Sequence, residues 1–122
     1  MKKRIMIVDD EEEVLFIFKN LLQKNGFLVD TFTEPLKAIK QYKDSLYQLV
    51  LVDIRMPKMN GFEFAQEIKS KDKHAKICFI TAFEGYYNSL VDSFPNLDFK
   101  CFIKKPILGN ELVEKIRIVL SR

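Results

Sequence analysis

Four short stretches of this 122-residue chain carry side chains able to act together on a charged ligand: Asp9-Asp10, Asp53, Thr81 and Lys105. Three carboxylates held close together repel one another, and an isolated cluster of this kind raises at least one of their pKa values. A hard divalent cation removes that conflict, and carboxylates, a backbone carbonyl and water are the donors that Mg²⁺ prefers. A hydroxyl such as Thr81 can donate to a phosphoryl-type oxygen, and an ammonium such as Lys105 neutralises charge developing there. Each group also has an ordinary reading. Asp9 or Asp10 suits the N-cap of a helix whose acidic start, Glu11-Glu12-Glu13, faces the positive end of the helix dipole. Lys105 alone is an unremarked surface residue. Asp53 is not explained by capping, because the next helical pattern opens only near residue 60.

These residues matter only if secondary structure brings them together. Five short apolar runs, Ile5–Val8, Leu28–Phe32, Leu49–Val52, Ile77–Ile80 and Cys101–Ile103, are β-branched or aromatic and bounded by polar residues, which predicts strands. Several are continuously apolar, as strands of a parallel sheet covered on both faces are. Helix-spaced apolar residues lie between them. Val14, Ile17, Phe18, Leu21 and Leu22 end at Asn25-Gly26. Leu36, Ile39 and Tyr42 follow Pro35, and Phe62, Ala65 and Ile68 follow Asn60-Gly61. Tyr87, Leu90, Val91 and Phe94 stop before Pro95, and Leu108, Leu112, Ile116, Val119 and Leu120 close the chain. A packed core accounts for every stripe without a cofactor. Strict alternation of strand and helix predicts an α/β fold, a flavodoxin-like (βα)5 three-layer sandwich with a five-stranded parallel sheet of order 2-1-3-4-5. Sites in such sheets lie beyond the carboxyl ends of the strands, at the switch point between strands 1 and 3. Asp9-Asp10 follow strand 1, Asp53 ends strand 3, Thr81-Ala82 end strand 4, and Lys104-Lys105-Pro106 follow strand 5. Adjacent strands are about 4.8 Å apart, so strands 1 and 3 can share one small ligand. Strand 5 lies about 10 Å from strand 3, a gap that a lysine spans.

Composition narrows the classes. One domain over residues 1–122 is expected, with a hydrophobic fraction of 48%, too high for a disordered segment. No apolar run reaches the roughly 18 residues of a membrane span. The start Met1-Lys2-Lys3-Arg4 leads into only four apolar residues, so no signal peptide is read and a cytoplasmic protein is expected. The net charge of +3 is modest. The lysines at 69–76 are read as solvated, and direct nucleic-acid binding is not expected. Cys78 and Cys101 lack metal-ligand or redox-motif spacing and are read as reduced, buried thiols. His74, the single histidine, is read as a solvated loop residue.

The acidic pair Asp9-Asp10, the stretch Asp53-Ile54-Arg55-Met56-Pro57-Lys58-Met59-Asn60-Gly61, the pair Thr81-Ala82 and the pair Lys105-Pro106, in this order and at these strand ends, resemble a response-regulator receiver domain over essentially the whole chain. The resemblance implies two-component signalling. Asp53 is then the phosphoacceptor. Mg²⁺ is held by Asp9, Asp10, Asp53 and the backbone carbonyl of Arg55. Thr81 is the switch hydroxyl, Lys105 the cationic anchor, and the Lys105-Pro106 peptide is cis. The phosphoryl donor is a phosphohistidine on a sensor histidine kinase or a phosphotransfer protein. The receiver of the signal is a downstream effector or a fused output domain. The family's strand-5 aromatic switch falls on Phe102, where many members carry tyrosine and its hydroxyl. The responding face is that of the fourth helix, fifth strand and fifth helix, with Tyr86, Tyr87, Lys100, Lys104 and Lys115 as candidates. Many members dimerise through it. The bulky residues Arg55 and Phe83, two positions after Asp53 and Thr81, imply slow self-dephosphorylation. An enzyme acting on other substrates is not implied.

Rival readings lack their own residues. A haloacid-dehalogenase-type phosphatase needs a second carboxylate where Arg55 stands. A flavodoxin needs a phosphate loop where Asp9-Asp10-Glu11-Glu12-Glu13 stand, and a nucleotide switch needs G-x-x-x-x-G-K-S/T. The remaining alternative is a pseudo-receiver, a constitutive interaction module that is never phosphorylated.

Overall fold

The structure, a computed structural model, describes residues 2–82, 90–107 and 109–122. The strands are β1 (Arg4–Val8), β2 (Leu28–Phe32), β3 (Leu49–Asp53), β4 (Ile77–Thr81) and β5 (Phe102–Lys104). Among the described residues the helices are α1 (Glu12–Lys24), α2 (Pro35–Gln41), α3 (Gly61–Lys71) and α4 (Gly109–Leu120), with a 3-10 turn at Val91–Ser93. All strand pairs are parallel, in the order β2-β1-β3-β4-β5. This is the flavodoxin-like three-layer arrangement that the alternation of apolar runs predicts.

Alternate strand residues divide the core into two layers, as the two-residue period of a strand requires. Ile5, Ile7, Leu49, Leu51, Ile80 and Ile103 face α1 and α4, against Leu15, Phe18, Leu22, Leu112 and Ile116. Met6, Val8, Val50, Val52 and Phe79 face α2 and α3, against Ala38, Tyr42, Phe62, Phe64 and Ile68. The second layer also holds a row of phenylalanines. Phe62 meets Phe79, Phe94 and Phe99 edge-on at 4.9, 5.5 and 5.1 Å, and Phe99 stacks on Phe102 at 6.1 Å.

Two expectations are corrected, and a third lies outside the described residues. Ile17 and Leu36 carry the helical spacing of a core stripe but are each 60% exposed; Leu15 takes the inward position on α1, and Ala38 and Tyr42 do so near the end of α2. The cysteines are not free thiols: Cys78 and Cys101 form a disulfide with Cα atoms 4.7 Å apart. Phe79 pairs with Phe102 in the β4–β5 ladder, and the Phe79 N–H donates to the carbonyl of Cys101, so the bridge joins cross-strand neighbours. That separation lies within the range a disulfide spans. The fourth predicted helix falls largely on residues 83–89, outside the described residues, as do Phe83, Tyr86 and Tyr87. The last turn before Pro95 is the 3-10 turn.

Glycine is required at the start of α3. A Cβ on Gly61 would stand 2.5 Å from the backbone oxygen of Asp53, and the Gly61 N–H donates to the Ile54 carbonyl at 2.8 Å. Asn60 caps this helix, accepting from the Glu63 N–H at 2.9 Å while Glu63 accepts from the Asn60 N–H at 2.9 Å. The helix start is thereby pressed against the strand end that carries Asp53.

Candidate functional site

The ladder places the chemistry-bearing residues at one edge of the sheet. Val8 pairs with Val52, so Asp9 and Asp53 extend neighbouring strands at the same level. Thr81 pairs with Lys104, and the Lys105 N–H donates to the Thr81 carbonyl at 2.8 Å. Asp9, Asp53 and Thr81 are buried, whereas Asp10 and Arg55 are exposed. Asp10, Asp53, Arg55, Thr81 and Lys105, together with Glu11 and Ala82, line a cleft of about 240 Å³. Asp10, Asp53, Thr81 and Lys105 thus share this cleft, and Asp9 lies beside it, paired with Lys105. Phe102 sits below it on β5, half-buried against Phe79 at 5.5 Å. The Lys105–Pro106 peptide is cis.

Lys105 supplies the local positive charge. Its Nζ lies 2.9 Å from Asp9 Oδ2, 3.4 Å from Glu11 Oε1 and 3.8 Å from Asp53 Oδ2, and the side chain is only 15% exposed. Glu11 was not singled out by sequence. It stands at the N-cap of α1 without a side-chain cap, and its N–H donates to Asp9 Oδ1 at 2.9 Å. Asp9 thus binds the helix start without occupying the cap itself. The signal that could have found Glu11 is its place two residues beyond the strand-1 aspartate, inside the acidic run.

Burial and charge crowding shift the acid–base equilibria of the cluster. Burial, then the neighbouring Asp9, Asp10 and Glu11 carboxylates, push Asp53 up to about 7 against the pull of Lys105. Burial also raises Asp9, partly offset by the Glu11 N–H and by Lys105. Burial opposes the charged form of Lys105, but its bond to Asp9 and the fields of Asp53 and Glu11 outweigh this and raise its pKa. One ammonium against the carboxylates of Asp9, Asp10, Glu11 and Asp53 leaves the cluster net negative. Oxygens of Asp9, Asp10 and Asp53 lie within 4.8 Å of one another. An all-oxygen, under-neutralised group of this kind fits a hard divalent cation such as Mg²⁺.

The profile of the response regulator receiver domain matches residues 5–117. The chain is 35% identical over 122 residues to a chemotaxis protein CheY of Bacillus subtilis, covering 99% of this chain and all of that protein. It is 31% identical to a transcriptional regulatory protein CpxR homolog of Haemophilus influenzae, of which it spans only 51%. Among solved structures, the Thermotoga maritima response regulator TrrA in complex with Mg²⁺ and BeF superposes with a TM-score of 0.80 at 34% identity, covering 96% of this chain and 98% of that one. The non-phosphorylated HemR receiver domain of Leptospira biflexa superposes with a TM-score of 0.86 at 30% identity, covering 99% and 96%. With the fold, the strand-end acidic cluster and these likenesses in agreement, the chain belongs to the response regulator receiver family and is a CheY-like receiver domain of two-component signalling. The chain spans the whole of the chemotaxis relative and about half of the transcriptional regulators it matches. No described helix is long and apolar enough to cross a membrane.

Proposed function

We propose that residues 1–122 act as a phosphoryl-accepting switch in which Asp53 takes a phosphoryl group from the phosphohistidine of a sensor histidine kinase or phosphotransfer protein. The observation that carries this reading is the setting of Asp53: a buried strand-end carboxylate opening on a cleft shared with Thr81 and Lys105. An Asp53 oxygen attacks phosphorus, the phosphorus–nitrogen bond breaks, and the imidazole leaves with the electron pair and takes up a proton. Lys105 neutralises charge on the transferring group, and the Thr81 hydroxyl donates to one of its oxygens. Asp9, Asp10, Asp53 and the Arg55 carbonyl are the residues that would hold Mg²⁺, whose charge would offset that of the carboxylates and the phosphoryl oxygens. The complex of TrrA with Mg²⁺ and BeF supports this assignment by likeness.

The acyl phosphate adds about 1.5 to 2 negative charges beside an ammonium already shared among Asp9, Glu11 and Asp53. Lys105 then redistributes its pairing, and Thr81 turns toward the new oxygens. β5, one residue from Lys105, carries Phe102. Its ring packs in a row with Phe79 and Phe99, so Phe102 reorients only as that row repacks. The responding face is then that of β5 and α4, with Lys100, Lys104 and Lys115 exposed. This face signals to an effector protein or a fused output domain, or pairs with a second copy. The setting is cytoplasmic, with no direct contact to nucleic acid or membrane. Arg55 beside Asp53 slows attack by water on the acyl phosphate. The test is incorporation of phosphoryl from acetyl phosphate. Labelling that requires Mg²⁺ and stops on chelation is expected. No labelling at any Mg²⁺ concentration would mark a pseudo-receiver.

A further inference from the structure

At the opposite edge of the sheet from Asp53, a cavity of about 320 Å³ is lined by Cys101 together with Lys69, Lys73, Lys76, Lys100 and Arg122, with Asp98 as the one acidic residue in its wall. Two of the ammonium groups are tied to backbone carbonyls there: Lys69 Nζ donates to the Ala75 carbonyl and Lys76 Nζ to those of Val119 and Arg122. Cys101 is half-buried and lines the cavity; its bridge partner Cys78 is wholly buried among apolar side chains and does not line it. The two residues of one bridge thus differ in exposure: Cys101 reaches both the cationic cavity and the apolar core, whereas Cys78 lies in the core alone.

We infer that the Cys78–Cys101 bridge is a reversible thiol-exchange site, entered at Cys101 through this basic cavity by a small anionic thiol. Cations around a sulfur stabilise its thiolate, and those facing the opening concentrate an anionic thiol there. In the reducing direction, the incoming thiolate attacks the Cys101 sulfur and the sulfur–sulfur bond breaks. The electron pair leaves on Cys78, whose described neighbours in the core are apolar, and the thiolate takes up a proton from solvent. A second thiolate then attacks the mixed disulfide at the incoming sulfur and releases Cys101 as a thiolate. The sum is one protein disulfide and two small thiols giving two protein thiols and one small disulfide. The reverse direction consumes the small disulfide and closes the bridge. The exchanging pair joins β4, which ends on Thr81, to the three-residue edge strand β5, which runs into Lys105.

The test uses the full chain in reduced and oxidised glutathione, read by intact mass after native alkylation, with cysteamine as a cationic thiol of similar size. The bridge is expected to open without denaturant, and glutathione to react about tenfold faster than cysteamine at low salt. That preference should shrink in high salt and in Lys73→Glu/Lys100→Glu. In Cys78→Ser, one glutathione adduct should accumulate on Cys101, and in Cys101→Ser, Cys78 should stay unmodified. Equal or reversed thiol preference, modification of Cys78 in Cys101→Ser, or opening only in denaturant would each overturn the inference. No phosphodonor is present in any arm, so a failure here leaves the role of Asp53 untouched.

Discussion

The two edges of this sheet handle charge in opposite ways. At the carboxyl edge, Asp9 and Asp53 are buried against one ammonium, and their pKa values are raised. At the amino edge, Lys69, Lys73, Lys76, Lys100 and Arg122 surround an open cavity, and Lys69 and Lys76 are tied to backbone carbonyls. A cluster that holds charge out of water is unstable until a ligand completes it. One that rests in water accumulates charge at little cost. On this contrast, proton- and cation-linked behaviour is expected at the first edge and ionic-strength-dependent encounter at the second.

The largest break is expected from the bridge. Opening a disulfide across 23 residues of sequence is expected to lower stability by about 3 kcal/mol on the loop-closure account. Denaturant melts of the wild type with and without reductant, beside Cys78→Ser/Cys101→Ser, measure it. A reduced wild type that matches the double variant, both below the oxidised form, is the expected outcome.

Gly61→Ala comes next. Its Cβ would meet the backbone of Asp53 and Ile54 rather than a pliable side chain, so a loss of about 2 kcal/mol is expected. The strand end carrying Asp53 should shift with it, so acetyl phosphate labelling should fall more than in a control of equal stability loss elsewhere.

The acidic edge sets the pH dependence. The folded pKa of Asp53 lies above its unfolded value, so the folded chain binds more protons between about pH 4 and 7. Stability without added metal should therefore fall as pH rises through that window, by the order of 1 to 3 kcal/mol, and level off above it. Asp72 acts in the opposite sense. The Tyr42 hydroxyl, donating at 2.7 Å, is the chief cause that holds its pKa below the ordinary value, so its contribution is present above about pH 4 and lost below. Melting temperature against pH should show a maximum near pH 4 to 5. Added Mg²⁺ should raise stability more at pH 8 than at pH 5. An equal Mg²⁺ effect at both would separate the cation from the carboxylates. The smallest effect is expected at the basic edge: Lys73→Glu should change stability by less than about 0.5 kcal/mol.

Most of the fold was legible because burial on both faces writes a parallel strand as a continuous apolar run. Each predicted strand lies within a residue of its observed position, and Asp53, Thr81 and Lys105 stand at strand ends as that reading requires. Ile17 and Leu36 were misplaced because helical spacing names a face without saying how wide the buried stripe is. The Cys78–Cys101 pairing was not legible, since it depends on the register between β4 and β5, which nothing in either run specifies. The row of Phe79, Phe99 and Phe102 was missed because Phe99 lies in an irregular segment with no periodicity to read. Lys105 was read from its reach and its place before Pro106 at a strand end, and it does lie against Asp9 and Asp53, whereas its partner Glu11 was hidden inside an acidic run that looked like a solvated helix start.

The most direct test of the central claim is intact-mass measurement of the wild type and Asp53→Asn after incubation with acetyl phosphate and Mg²⁺. One added phosphoryl group on the wild type and none on the variant is the predicted result. Equal labelling of both chains would contradict it and move the acceptor away from Asp53.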